Sequence, residues 1–352
     1  MIILQYWSVV ETIIIAGIFV LMIFWVVRSA KKREANPRAI PNTFGGRAGY
    51  FLLYILRIVG FAVGTFLAVS LGVLVERNIY SAITETMPAP SEVNIPQNLP
   101  FKVDEVKFKG GDGLMMAGWQ VPSQNGVTII LLHGYGGNRT AMLWHAKRLV
   151  DAGYGVLMYD ERASGESEGT RRSYGWEDPR DVGGTIRFIE TGSGVGLERI
   201  GIAGCSIGGQ IALQSTVLYP ELEAVWADGP SALRAQDIPS PRNPIMALII
   251  LGNYSLDWVY AKGLGLEAPV PMIDTIGNIA PRRIMLVGGG QPQPFVGSES
   301  EAMIPRYAKY AGSNAQVWVI PEATHCDGPA QRPDEYATRL VEFFDTSFGI
   351  TR

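Results

Sequence analysis

Two cysteines and three histidines are all that this chain of 352 residues contains. Cys205 and Cys326 are too few for a disulfide scaffold or a thiolate zinc cage. Any chemistry that needs an imidazole must use His133, His145 or His325. Charge is sparse as well: 18% of residues are charged and the net charge is −3, which argues against a generally basic nucleic-acid binder. There is no internal repeat and no long low-complexity tract. What is abundant is apolar surface. A hydrophobic content of 47% excludes a wholly disordered chain, and the length suits one large domain or two smaller ones.

The charge is unevenly spread. Residues 1–77 hold eight basic and three acidic side chains, giving +5, and the remainder holds 22 basic and 30 acidic, giving −8. Within the basic front end, 7–27 is apolar except for Glu11, and 50–75 is apolar except for Arg57. Each run is long enough to cross about 30 Å of hydrocarbon. A secretory signal fits the first run poorly, because Arg28, Lys31, Lys32 and Arg33 follow the apolar stretch instead of preceding it. A pair of buried core helices is the other alternative. The expectation is a two-helix transmembrane hairpin over 1–77 that binds the lipid bilayer through 7–27 and 50–75. The basic loop 28–47 then faces the cytoplasm, and the rest of the chain lies on the extracytoplasmic side. Arg57 sits near the cytoplasmic face, where it can snorkel, and Gly60 and Gly64 would allow close approach of a neighbouring helix.

Residues 78–100, with Pro88, Pro90, Pro96 and Pro100, read as an extended linker. From 101 to 352 short aliphatic runs alternate with helical stretches. Strands are expected at 103–108, 114–120, 127–132, 155–160, 199–203, 224–228, 283–287 and 315–320. Helices are expected at 140–151, 177–190, 207–218, 300–311 and 333–346. The alternation implies a doubly wound α/β domain. The runs Thr128–Leu132 and Ile284–Val287 suit a parallel sheet buried on both faces. In the last helix Tyr336, Leu340, Phe343 and Phe344 share one face.

Three segments carry the chemistry. In the first, a strand leads into Gly204-Cys205-Ser206-Ile207-Gly208 and a helix follows, the context that a G-x-S-x-G nucleophile elbow requires. The turn is so tight that positions two before and two after the serine have no room for side chains. Gly204 and Gly208 satisfy this, and Gly209 lets the helix pack closer. The serine then sits at a helix N-terminus, where developing negative charge is favoured. The pattern alone is weak: Gly165-Glu166-Ser167-Glu168-Gly169 matches it too, but in a polar, charge-flanked setting that reads as a surface loop.

The second segment is His133-Gly134-Tyr135-Gly136-Gly137, after the apolar strand 127–132. Its glycines free backbone N–H groups to point at an oxyanion, and the Tyr135 and Ile207 amides are the two expected donors. His133 and Gly134 support that loop. A phosphate-cradling reading lacks the Gly-Lys-Ser/Thr ending. The third segment is Val317–Gly328, where a late strand ends and His325 follows in a loop. A serine hydrolase needs a general base near neutral pH. His133 belongs to the oxyanion loop and His145 to the helix after it, which leaves His325.

Residues 101–350 resemble the alpha/beta-hydrolase superfamily, and look most like serine esterase or peptidase members with a compact lid. The resemblance rests on His133-Gly134, on Asp160-Glu161-Arg162-Ala163-Ser164-Gly165-Glu166-Ser167, on the elbow at Ser206, and on His325. It implies an alpha/beta-hydrolase fold with an eight-stranded, mostly parallel sheet and a Ser-His-acid triad. The acid departs from the pattern, because no carboxylate follows strand 283–287 directly. Glu299 is the first candidate, Glu301 the second and Asp228 the third.

Residues 229–282 form an insertion expected to act as a small helical cap over the site, with an apolar run Pro244–Leu251 and the aromatics Tyr254, Trp258 and Tyr260. Trp176 and Trp226 line the site or fill the core. The two cysteines flank the site in sequence, and the expected state is a pair of buried thiols that merely pack. No metal or organic cofactor is implied. The leading reading is a membrane-tethered serine hydrolase acting on an ester, thioester or amide of a small acyl or peptide-like substrate. An acyltransferase using the same triad, or a non-catalytic binding protein on this fold, is the alternative. No protein partner is named by any feature.

Overall fold

The computed structural model describes residues 43–192, 199–241, 244–291 and 298–352, together with Gly17, Phe24 and Arg28. The expected first span, 7–27, and most of the basic loop 28–47 therefore lie outside the described residues. The chain divides into two compact units between Tyr80 and Ser81.

Helix α1 (Phe44–Glu85) is 42 residues long, and its most apolar 18-residue window has a mean hydropathy of 2.4 with none of that window buried. At 1.5 Å per residue it measures roughly 63 Å, about twice a hydrocarbon core. Among the described residues it is the one helix long and apolar enough to cross a membrane. Phe51, Leu52, Leu53, Phe66 and Leu67 are all exposed along it. The helix runs on to Glu85, into the segment read as linker, because nothing in 78–85 breaks it; the first proline beyond is Pro88. The following residues are held rather than free. Ala89 and Ser91 donate to the carbonyls of Ala163 and Gly165, and Val93 is buried.

The second unit is built on eight strands: β1 (Asp104–Lys109), β2 (Met115–Val121), β3 (Val127–Leu132), β4 (Gly155–Tyr159), β5 (Arg199–Cys205), β6 (Leu222–Asp228), β7 (Arg283–Gly289) and β8 (Ala315–Ile320). They form one sheet in the order β8-β7-β6-β5-β3-β4-β2-β1. β2 runs antiparallel to both of its neighbours, and every other pairing is parallel. Side chains alternate between two cores, as the period of a strand dictates. Ile130, Leu132 and Ile202 pack on one face with α3 (Asp178–Gly192), α4 (Ile207–Leu218) and α6 (Ser298–Ala311). Ile129, Leu131 and Ala203 pack on the other with α2 (Leu143–Asp151) and α7 (Pro333–Phe348). Every residue of β3 is buried, which is why its sequence is an unbroken apolar run.

Tyr336, Leu340, Phe343 and Phe344 of α7 all enter the second core, and Trp226 joins them. The Trp226 indole N–H donates to the Tyr336 hydroxyl at 2.9 Å, so this tryptophan is core. Trp176 is also buried, its ring centroid 5.1 Å from that of Tyr260 and tilted 35° to it. The insertion after β6 contains α5 (Pro244–Trp258). Its three aromatics divide: Tyr260 is fully buried, while Tyr254 and Trp258 are exposed.

Candidate active site

β5 ends at Cys205, α4 begins at Ile207, and Ser206 makes the whole turn between them. Its φ is 58° and its ψ −120°, a conformation that side-chain-bearing residues rarely adopt. The surroundings hold it there. The Ser206 N–H donates to the carbonyl of Asp228 at the end of β6 (2.8 Å). A Cβ on Gly204 would collide with the backbone of Gly208, and one on Gly208 would lie 2.5 Å from the His133 carbonyl oxygen. Gly209 sits against the Gly204 and Asp228 carbonyls, at 3.1 and 3.2 Å from its own Cβ position. The three glycines are thus a packing requirement of the turn.

The strained turn aims Ser206 Oγ at the loop after β8, where His325 Nε2 lies 2.9 Å away. Two residues 119 apart in sequence meet because β5, β6, β7 and β8 run parallel, so the loops after β5 and β8 leave the same edge of the sheet. The hydroxyl donates to Nε2 when the imidazole proton is on Nδ1.

The loop after β3 closes a third side. Gly137 donates to the Gly134 carbonyl in a tight turn, and a Cβ on Gly134 would sit 3.5 Å from that of Ser206. His133 is buried inside the loop. Its Nδ1 lies 2.8 Å from the Gly134 carbonyl oxygen, and its Nε2 accepts the Glu161 N–H at 3.0 Å. These contacts place the proton on Nδ1, and burial lowers the pKa below 6.5, so His133 is a neutral strut. Ile207 is the first residue of α4, so its N–H has no partner within the helix. Among the described residues neither Tyr135 N–H nor Ile207 N–H has a hydrogen-bond acceptor. Both residues line one cavity of about 20 Å³. Over its mouth the Arg172 guanidinium lies 4.2 Å from the Tyr135 ring and donates to its hydroxyl at 3.0 Å.

Asp228 contributes its carbonyl to the elbow, and its buried carboxylate accepts the Tyr336 hydroxyl at 2.8 Å. Glu299 and Glu301 lie in the first turns of α6, and their side chains are outside the described residues.

The stretch after β4 supports the loop after β3. Asp160 accepts the Arg139 N–H at 2.7 Å, pairs with its guanidinium at 3.1 Å, and accepts the Glu166 N–H at 2.8 Å. Arg139 also pairs with Glu166. The second G-x-S-x-G serine, Ser167, donates to the Asp160 carbonyl at 2.6 Å and accepts the Ala117 N–H at 2.9 Å, so it is spent on the loop. Arg162 is buried and pairs with Asp181 at 2.7 Å. Burial pushes the Asp181 carboxyl up to about 6, and pushes Glu161 well above the usual carboxylate range with help from Asp178 and Asp181. Among the described residues no group of three His, Cys, Asp or Glu could hold a metal ion.

One expectation is overturned. Cys205 and Cys326 are a disulfide, with Cα atoms 6.1 Å apart, and not two thiols. The signal was present in sequence: Cys205 precedes Ser206 and Cys326 follows His325, so once serine and histidine meet, the cysteines must meet as well.

Comparison with known proteins agrees with this architecture. Residues 129–339 match the alpha/beta hydrolase family. The chain is 25% identical over 251 residues to the protein YfhR of Escherichia coli (strain K12), covering 69% of this chain and 81% of YfhR. It is 28% identical over 186 residues to the thiohydrolase aneE of Aspergillus aculeatus, covering 49% of this chain and 56% of that protein. The solved Pyrococcus furiosus esterase Pf2001 superposes with a TM-score of 0.59 at 21% identity, covering 74% of this chain and 98% of the esterase. This chain belongs to the alpha/beta hydrolase family.

Proposed function

We propose that the chain is a membrane-anchored serine hydrolase that cleaves an ester, thioester or amide through an acyl-enzyme on Ser206. The observation that carries this reading is the 2.9 Å approach of His325 Nε2 to the hydroxyl of a serine held at positive φ on a helix N-terminus. Ser206 Oγ attacks the substrate carbonyl as His325 takes its proton. The oxyanion forms beside the Tyr135 and Ile207 N–H groups, each such donor being worth roughly 3–4 kcal/mol in the transition state. His325 then returns the proton to the leaving group, and a water deprotonated by His325 releases the acid. The orienting acid is Glu299, with Glu301 and Asp228 next; Asp228 ranks last because its carboxylate is engaged by Tyr336. The named activity of aneE supports including thioesters among the substrates.

The anchor comprises residues 7–27 and α1, and the hydrolase unit faces the extracytoplasmic side. Two independent features support that side: the basic loop 28–47, and a disulfide of the kind that persists in oxidising compartments.

The test is fluorophosphonate labelling of the full chain in detergent micelles. Labelling should vanish in Ser206→Ala and persist in Ser167→Ala. An unlabelled wild type that is demonstrably folded would overturn the reading.

A further inference from the structure

We infer that the Cys205–Cys326 bridge is a positioning bond for the Ser206–His325 pair, so that full turnover requires the oxidised protein. This rests on the hydrolase reading of that pair.

The argument starts from adjacency. Each sulfur is carried by the immediate neighbour of a reacting residue: Cys205 closes β5 one position before Ser206, and Cys326 follows His325. The bridge therefore crosses between the elbow and the histidine loop at the place where Nε2 must meet Oγ. Its Cα separation of 6.1 Å lies within the usual range for natural disulfides. The bridge is the histidine loop's covalent tie to the elbow, and hydrogen bonds also hold the loop: the Asp327 carbonyl accepts the Ala330 and Gln331 N–H groups, and the Gln331 side chain donates to the Asp327 carboxylate. Its base is tied by Ala323, which donates to Ile320 and accepts from Gln291. Nearer the tip, the Asp327 N–H reaches the Thr324 carbonyl only at 3.4 Å. Cys326 itself has a φ of 55°, a conformation that a non-glycine residue keeps only when its surroundings hold it. Without the bridge that residue can relax, and His325, one bond away, rotates with it. Near-attack geometry is sensitive to displacements of about 1 Å. Loss of the bridge thus predicts a loss of turnover without a loss of fold.

The bridge is also reachable. Both cysteines are only half-buried, and they border a cavity of about 190 Å³ lined in part by Gly134, His145, Asp228 and Asp327. A small dithiol can attack there. Two of its electrons and two protons go to the bridge, leaving Cys205 and Cys326 as thiols and the reductant as its own cyclic disulfide.

The experiment uses the full chain in micelles, purified without reductant. Thiol counting after denaturation should find no free thiol; two free thiols would overturn the inference. The rate of fluorophosphonate labelling, and kcat on a p-nitrophenyl ester, should fall at least tenfold after dithiothreitol. KM and the circular-dichroism spectrum at assay temperature should stay unchanged, the melting midpoint should fall because an entropic cross-link is lost, and oxidised glutathione should restore the rate. The double variant Cys205→Ala/Cys326→Ala should have the slow rate permanently and ignore dithiothreitol. A verified reduction that leaves kcat unchanged overturns this inference alone. A wild-type oxidised chain that never labels overturns the hydrolase reading, and this inference with it.

Discussion

The N–H of Ser206 donates to the carbonyl of Asp228 at 2.8 Å, so the elbow's own serine amide is committed to the neighbouring strand. The turn is thereby locked between β5 and β6, and in the proposed mechanism the oxyanion donor from this turn is the Ile207 amide. The lock depends on close backbone contact. Gly208→Ala would push a methyl to 2.5 Å from the His133 carbonyl, an atom that cannot yield without moving β3. The expected cost is about 1–3 kcal/mol of stability together with loss of Ser206 labelling. Gly192→Ala, in open space at the end of α3, should leave both unchanged. The measurement is a melt paired with the labelling assay.

The acid is decided by three conservative variants. Glu299→Gln should lower kcat by about 10³-fold or more, as loss of the orienting carboxylate does elsewhere. Glu301→Gln should change it little. Asp228→Asn leaves Tyr336 with a weaker partner, so it should lower stability by about 1–3 kcal/mol and kcat less than tenfold. If Asp228→Asn instead shows the large kinetic loss, the ranking of the acids is reversed.

Asp160→Asn should be among the most destabilising polar substitutions in the unit. It strips the buried Arg139 guanidinium of its buried partner, and breaking such a pair by removing one side costs about 3–5 kcal/mol. Replacing both residues, Arg139→Met with Asp160→Leu, removes the stranded charge and should recover part of the loss. Denaturant midpoints of the three variants check this.

His145 gives the unit an acid limb. The ring is buried against Trp144 and Tyr336, and burial lowers its pKa from 6.5 to about 4. The unfolded chain therefore binds a proton between those values that the folded chain refuses. Stability falls as pH drops from 6.5 towards 4, by roughly 3 kcal/mol for this group. A wild-type melt series over that range should lose that much relative to His145→Gln. Parallel curves for the two proteins would show that another group is responsible.

Much of this is legible in the amino-acid sequence. β3 and β7 announce themselves as unbroken aliphatic runs because both faces of a parallel sheet are covered. Gly204, Gly208 and Gly209 announce the elbow because only glycine fits there. α5 gives a weaker signal: its first half, Pro244–Leu251, is an unbroken apolar run without helical period, so the sequence places a helical insertion there but not the helix bounds. The end of α1 was misplaced because the prolines beyond it mark an extended segment without marking where the helix stops. The disulfide is not legible in composition, which speaks to scaffolds, whereas a single bridge depends on which loops the sheet brings together. The orienting acid stayed ambiguous for a related reason: it is defined by reach to His325, and no residue spacing encodes that.

The bridge has one more consequence, which concerns connectivity. Cys205 and Cys326 close a covalent ring of chain, and β6, the entire 229–282 cap, β7, α6 and β8 lie inside it. A protease that cuts once within 229–282 cannot separate the pieces. The N-terminal fragment and the C-terminal fragment stay joined through sulfur, and they part into two bands only when the gel sample is reduced.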